Sequence, residues 1–515
     1  FEQVTLRGGR LVFRGDGDPL TLEVERLDLA AADSSSPVSL ALVGRYNGSP
    51  FEANGTLGSI GRLSVGSGPF PLALVVRSGA SELSLQGEIA QPRAGSGLRF
   101  EVSGEGRSLA DLSPFAGAEL PALGPWSFDT KLAQDGTSYR LSALALRLSE
   151  SDLAGTASVD LGKERPLVTA ALTADRIRLA DFTEPEPDGA ADDGRIFSDE
   201  PLPLDALKLF DAEVKLAAAS FEPHEKVKLE TLDLLLALKG GKLKVAPFTA
   251  TLAGGKLAGG FDLDAGVDPP SVALALTGKQ VDYGRLLREL EIYDTVEGKL
   301  DLELVVSGSG NSLHDIASTL KGKSDLVGGE GRLDNTLVTL VSADLLGLLG
   351  PLFGSEEAME ISCLVSRFDI ADGIAESSAQ LLHAESFTLQ GGGQIDLASE
   401  RIDMLFEPKS SLPSLTSLAI PFRIQGPLTD PGVIPDPLGT ALTAAKTAGA
   451  IIMPLAGLGI LLGDAVLGAG NPCTAALEAG ASGQSQEKSV IDKATEGVGE
   501  TLDSIGEGIK GLFGN

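Results

Sequence analysis

The chain is poor in the side chains that carry most enzymatic and metal chemistry. Its 515 residues include three histidines (His224, His314 and His383), two cysteines (Cys363 and Cys473) and a single tryptophan, Trp126. No histidine pair has H-x-x-x-H spacing and no cysteine pair lies near one, which argues against a zinc site. A G-x-S-x-G nucleophile elbow is absent. GKS at Gly322–Ser324 lacks the upstream glycine of a phosphate loop, since Ala317 stands there, and Gly308 and Gly310 lead into Ser312 and Leu313 instead of completing a dinucleotide fingerprint. His314 and Asp315 are neighbours, but adjacent helical positions point apart. The residues nominate no catalytic group, cofactor or metal, and a non-enzymatic role is expected.

Basic residues are also scarce. Lys and Arg number 41 against 72 Asp and Glu, a net charge of −31, which argues against a nucleic-acid partner because phosphate binding needs clustered cations. Self-repulsion that keeps the chain soluble is the plain reading of that charge. Aromatics make up only 5%, too few for one large core of interlocking rings, so the apolar 43% is carried by aliphatic side chains spread over many short segments. The chain begins at Phe1 with no leader or membrane helix before the first strand-like run, and it reads as a mature or trimmed form.

What is present is alternation. Leu11 and Phe13 precede a Gly-Asp turn, and Leu22 and Val24 alternate with Glu23 and Glu25. The pattern recurs at Leu72, Leu74 and Val76, at Leu83 and Leu85, and at Leu144, Leu146 and Leu148. Period-two runs separated by Gly, Asp and Asn turns predict half-buried antiparallel strands. Residues 1–181 read as such a meander. Residues 182–203 are acidic and rich in Pro and Gly, and they read as a linker or long loop. Strands resume over 204–437, with Leu232, Leu234, Leu236 and Leu238 on one face, then Leu300, Leu302 and Leu304. Later strands offer Phe387, Leu389, Met404, Phe406, Phe422 and Ile424. The fold class expected is mainly β, with a long, curved, twisted and mostly antiparallel sheet forming an apolar groove.

Short helices interrupt the strands. One is predicted near 282–290 and another at 335–349. A third lies inside SGSGNSLHDIASTLKGKSDLVGGEGRL (307–333), between two glycine-rich hinges, with Asn311 or Ser312 as N-cap and Leu313, Ile316, Ala317 and Leu320 as its apolar stripe. It reads either as a cap on one end of the groove or as a helix packed on the outside of the sheet. Residues 438–515 form a helical tail in this reading. Within it, 448–470 is apolar but broken by Pro454, glycines and Asp464, so a buried or membrane-touching hairpin is expected in place of a span. From 488 onward Ile491, Ala494, Val498, Leu502, Ile505, Ile509 and Leu512 form one apolar helical stripe.

The segment VSGSGNSLHDIASTLKGKSDLVGGEGRLDNTLVTLVSADLL, followed by SRFDIADGIAESSAQLLHAESFTLQGGGQIDLASERIDMLFEPK and IPFRIQGPLTDPGVIPDP, resembles the C-terminal module of AsmA-like proteins. The likeness covers roughly residues 204 to 480. It implies a periplasmic, Gram-negative envelope protein that is fixed to the inner membrane by an N-terminal anchor absent from this chain. It is also similar to bridge-like lipid-transfer proteins, whose curved sheets carry phospholipid or a related amphiphile between inner and outer membranes. The apolar strand positions named above then become groove candidates. In an oxidising compartment Cys363 and Cys473 are expected to form a bridge. Two other readings remain: a scaffold for outer-membrane protein assembly with a tightly packed inner face, and a carbohydrate-active β-solenoid, which the single tryptophan and four tyrosines disfavour.

Overall fold

The computed structural model describes residues 3–13, 20–65, 68–116, 119–183, 195–291, 296–334, 358–385, 387–410 and 421–435. The predicted helix at 335–349, the tail from 438 onward and Cys473 lie outside the described residues. The chain divides into two compact units, one of Phe1–Ala190 with Asp205–Leu243 and one of Ala191–Leu204 with Lys244–Asn515.

The first unit is built from β1 (Gln3–Phe13), β2 (Leu20–Ala30), β3 (Val38–Tyr46), β4 (Ser49–Leu57), β5 (Phe70–Ser78), β6 (Ser81–Gln91), β7 (Ser96–Gly106), β8 (Trp126–Asp135), β9 (Ser138–Leu148), β10 (Ser151–Asp160) and β11 (Leu167–Ala174). Each pairs antiparallel with the next, as the alternation predicts. The β3–β4 turn shows why the register holds. Asn47 and Gly48 both have positive φ, 47° and 86°, the backbone of a two-residue hairpin turn matched to strand twist. After β12 (Ile177–Arg178) the order changes, because β13 (Asp211–Ala218) lies parallel to β11. The long connection between them brings the chain back to the end of the sheet where β11 began, and a hairpin cannot do that. β14 (Phe221–His224) and β15 (Val227–Lys239) close the unit.

The second unit carries most of β16 (Lys242–Leu252), then β17 (Gly255–Asp264), β18 (Ser271–Asp282), β19 (Val296–Ser309), β20 (Lys321–Asp334), β21 (Ala358–Ala371), β22 (Ile374–Ala384), β23 (Phe387–Asp396), β24 (Arg401–Ser410), β25 (Phe422–Pro427) and β26 (Gly432–Pro435). From β17 onward every neighbouring pair is antiparallel. In each unit the expectation of a mainly β chain on a twisted, open, mostly antiparallel sheet is met.

Among the described residues the α-helices are few and short: α1 (Ile60–Val65), α2 (Ser113–Ala116), α3 (Tyr283–Glu289) and α4 (Leu313–Ser318). α3 and α4 stand where they were predicted, whereas α1, six residues with a glycine at its second position, is too short to leave a periodic signal. Ser312 is the N-cap of α4, its Oγ accepting from the Asp315 N–H at 3.0 Å. Leu313 does not join the apolar stripe, being 47% exposed, while Ala317 is buried. The second glycine hinge is not a hinge either. Gly328 and Gly331 sit inside β20, paired with Leu364 and Ile361. The Tyr283 hydroxyl lies 2.4 Å from where a Cβ on Gly331 would stand, so the glycine gives room to a side chain from α3.

Candidate functional site

Strand register sorts the first unit into two chemically different faces. Along one row, each residue paired to the next, run Leu6, Leu27, Leu42, Ala53, Val76, Leu83, Gly104, Phe128, Leu146 and Leu153, crossing ten strands without a polar side chain. At about 4.8 Å per strand that row is on the order of 40 Å long. A neighbouring row holds Val4, Leu29, Leu40, Gly55, Leu74, Leu85 and Val102. Past β9 the same face continues through Leu144, Gly155, Leu172, Leu216 and Leu234, and through Leu141, Ala157, Ala170, Val214 and Leu236. A one-residue offset reaches the other face, where Arg26, Val43, Glu52, Arg77, Glu82, Glu105, Ser127, Arg147 and Asp152 are aligned. Ion pairs such as Arg77–Glu82 (2.7 Å) and Lys131–Glu101 (3.1 Å) decorate that face.

The apolar face is not closed over. Leu72, Leu74, Val76, Leu83 and Leu85 are all half-buried, as are Leu22, Leu144, Leu146, Leu234 and Leu236. Burial is higher at a few other positions. Val24, Leu148, Leu232 and Leu238 are buried. Leu11, on the outermost strand, is 53% exposed, and the Phe13 backbone pairs with Leu20 at the end of that strand. One margin, at the β3–β4, β5–β6 and β9–β10 turns, is built up by residues between β7 and β8. There Leu109 and Leu112 pack on the Leu123, Trp126 and Leu148 cluster, with Trp126 only 3% exposed. This aromatic margin was not among the sequence candidates. Its signal was present, since Trp126 and Phe128 are in phase with the leucine rows, but it stood at a strand end next to a Pro-rich loop.

The second unit repeats the arrangement with more packing. Leu300, Gly328, Leu364, Leu382, Leu389 and Pro408 form one row, and Leu257, Gly278, Leu302, Leu326, Ser366, Gln380, Gly391, Phe406 and Phe422 form another. Leu304, Phe387, Met404 and Ile424 share this face by alternation. Leu300, Leu302, Leu304, Leu389, Phe406 and Ile424 are half-buried. Phe387, Met404 and Phe422 are 2–3% exposed and belong to packed regions. Phe406 stacks on Phe422 at 5.5 Å and lies over Gly391, where a side chain would meet its ring at 2.4 Å. The opposite face of β21 and β22 is buried too, with Cys363, Val365, Ala379 and Leu381 in one cluster. Cys363 therefore points away from the leucine rows, and no described cysteine is a free thiol.

Short helices stand at both ends of the second unit's leucine face. Tyr283 of α3 donates to the Glu297 carbonyl at 3.1 Å. At the other end Ile316 of α4 rests over Gly308, 3.4 Å from where a Cβ would stand. That puts α4 at the strand ends, on the side of the apolar rows, in line with the capping alternative. Residues 195–204 run along the same margin. Buried Glu400, in the β23–β24 turn, accepts from the N–H groups of Ile196 and Phe197 at 2.7 and 3.0 Å, and the Ser198 carbonyl accepts from His314 N–H at 3.1 Å.

Polar groups elsewhere do not assemble into a reactive centre. Asp396 is held below its usual range chiefly by the Ser399 N–H in its own turn, and Asp403 is paired with Arg423 at 2.5 Å. Burial raises Asp325, beside Arg367. Burial also lowers His383, which shares a 2.8 Å hydrogen bond with Thr388. No group of metal-ligating side chains occurs among the described residues, and none of the described helices is long and apolar enough to cross a membrane.

Comparison with known proteins gives two matches. The AsmA family profile matches residues 188–379. The AsmA family protein YhjG of Escherichia coli (strain K12) is 23% identical over 457 residues, covering 84% of this chain and 66% of the relative, so about a third of that relative has no counterpart here. No solved structure matches. These matches, over strands of this pattern, support an AsmA-like family for the chain, a family of the bacterial envelope.

Proposed function

We propose that the chain is a periplasmic lipid-transfer protein whose leucine rows form a groove for the acyl chains of phospholipid or a related amphiphile passing between inner and outer membranes. The observation that carries this reading is the first unit's apolar face, continuous over ten strands and half-exposed along its middle. A soluble protein rarely leaves so much contiguous apolar surface uncovered without a ligand or partner for it. Burying one methylene is worth about 0.8 kcal/mol, so a sixteen-carbon tail costs on the order of 12 kcal/mol to pull into water. Leucine rows that keep the tail covered while the headgroup stays wet remove most of that cost. The scaffold alternative calls for a tightly packed inner face, and the half-exposure of Leu72, Leu74, Val76, Leu83 and Leu85 weighs against it. In the full-length protein an N-terminal anchor would hold the chain at the inner membrane.

Native mass spectrometry with lipid analysis tests the reading. Protein purified after gentle extraction is expected to carry diacyl lipid, and the cross-strand pair of changes Leu74→Asp and Leu85→Asp, or Leu234→Asp with Leu236→Asp, is expected to abolish it in a protein that keeps its β circular dichroism. Lipid retained at the wild-type level in both folded variants would sink the groove.

A further inference from the structure

The segment between β7 and β8 has a firm root and a lightly held tip. At the root, Leu109 and Leu112 are packed on Leu123, Trp126 and Leu148, and Leu109 N–H donates to the Leu123 carbonyl at 2.8 Å. The tip is α2, in which no residue is buried. It reaches the β3–β4 hairpin through two ring contacts and one hydrogen bond. Phe115 stacks on Tyr46, with ring centroids 5.6 Å apart and planes 8° from parallel, and meets Phe51 edge-on at 6.1 Å. Asn47 Nδ2 donates to the Pro114 carbonyl at 3.2 Å.

Tyr46 and Phe51 belong to the apolar face. Tyr46 is paired with Leu22, and Phe51 stands two residues from Ala53 on the same side of β4. The charged neighbours Arg45 and Glu52 project to the opposite face by alternation. What Phe115 covers is therefore hydrocarbon-lined aromatic surface continuous with the leucine rows, and an aliphatic chain is the ligand chemistry that matches it. We propose that the Tyr46–Phe51 surface is an acyl-binding subsite and that Phe115 is its gate, a side chain that a lipid tail displaces to enter this end of the groove. The inference rests on the lipid-groove reading and adds to it the place where a tail competes with the protein's own side chain.

The test uses the full chain and vesicles of phosphatidylethanolamine and phosphatidylglycerol with dibrominated acyl chains. Uptake is followed by native mass spectrometry and by quenching of Trp126, the sole tryptophan. Phe115→Ala is expected to take up lipid about tenfold faster than wild type, since the change removes both ring contacts that hold the gate shut. Adding Phe51→Ala to that variant is expected to lower occupancy again. A 4-fluorophenylalanine label at position 115 is expected to leave its stacked resonance as lipid is added, a readout that does not depend on transfer. Unchanged uptake in Phe115→Ala, with the label still stacked at saturating lipid, overturns the gate and leaves the groove standing. If wild type and Phe115→Ala both fail to take up lipid and the label stays stacked, the groove falls and the gate with it.

Discussion

At the scale of single residues, exposure separates side chains that hold the fold from side chains available to a ligand. Leu381 is 4% exposed and packed with Cys363, Val365 and Ala379. Leu381→Ala leaves a cavity and should cost about 3 kcal/mol in urea unfolding. Leu74 is half-buried on the open face, so Leu74→Ala should cost about 1 kcal/mol or less while weakening lipid retention. Equal losses from the two changes would show that both faces are packed alike. Glu222 gives the pH case. Arg176 grips its carboxylate at 2.8 and 3.0 Å and holds its pKa below the usual range, against the opposing effect of burial. A depressed carboxylate pKa gives stability that is present above the unfolded value, about 4.3, and lost as pH falls through the folded one. Glu222→Gln should therefore cost about 1 kcal/mol near pH 7, a modest figure because Arg176 is partly exposed, and the penalty should shrink on acidification below pH 4. A penalty that does not change with pH would contradict this.

At the scale of elements, the strands were legible in the sequence and the capping pieces only partly so. Period-two alternation located β5, β6, β9 and β15 because a strand exposes its two faces to different surroundings along its whole length. α4 was legible through its cap residue, and Ser312→Ala should cost about 1 kcal/mol, read as a lower denaturation midpoint. The docking of 195–204 was not legible. Its composition reads as linker, yet Glu400, two hundred residues away, satisfies two of its N–H groups. Glu400→Ala should free that stretch, and limited trypsin digestion at Arg195 is expected to quicken. Unaltered cleavage would mean that the other bonds along the margin suffice.

At the scale of the molecule, the family and relative matches, taken with the fold, support an AsmA-like family and suggest an envelope-associated role. Lipid passage is the reading that the open leucine rows support best. The periplasmic placement proposed above leads us to expect the Cys363–Cys473 bridge, which would close a loop of about 110 residues and contribute roughly 4 to 5 kcal/mol in the chain-entropy estimate. Intact mass with and without reductant checks this, and two alkylatable thiols in the unreduced protein would refute it.

By itself, the sequence determined the fold class, the approximate strand positions and the set of apolar residues that face one way within each strand. All of these depend on local periodicity and turn chemistry, which a few neighbouring residues encode. Only the tertiary structure decided how those sets align into rows, because alignment depends on bulges at Gly155 and between Val24 and Arg26, and on the parallel pairing of β11 with β13. It alone separated the packed Phe387, Met404 and Phe422 from the open Leu72, Leu74 and Leu85, since burial is set by what comes to lie over a residue, often from a hundred or more positions away. It also brought Phe115 onto Tyr46 and Phe51, a contact that crosses more than sixty residues of chain and has no local signature.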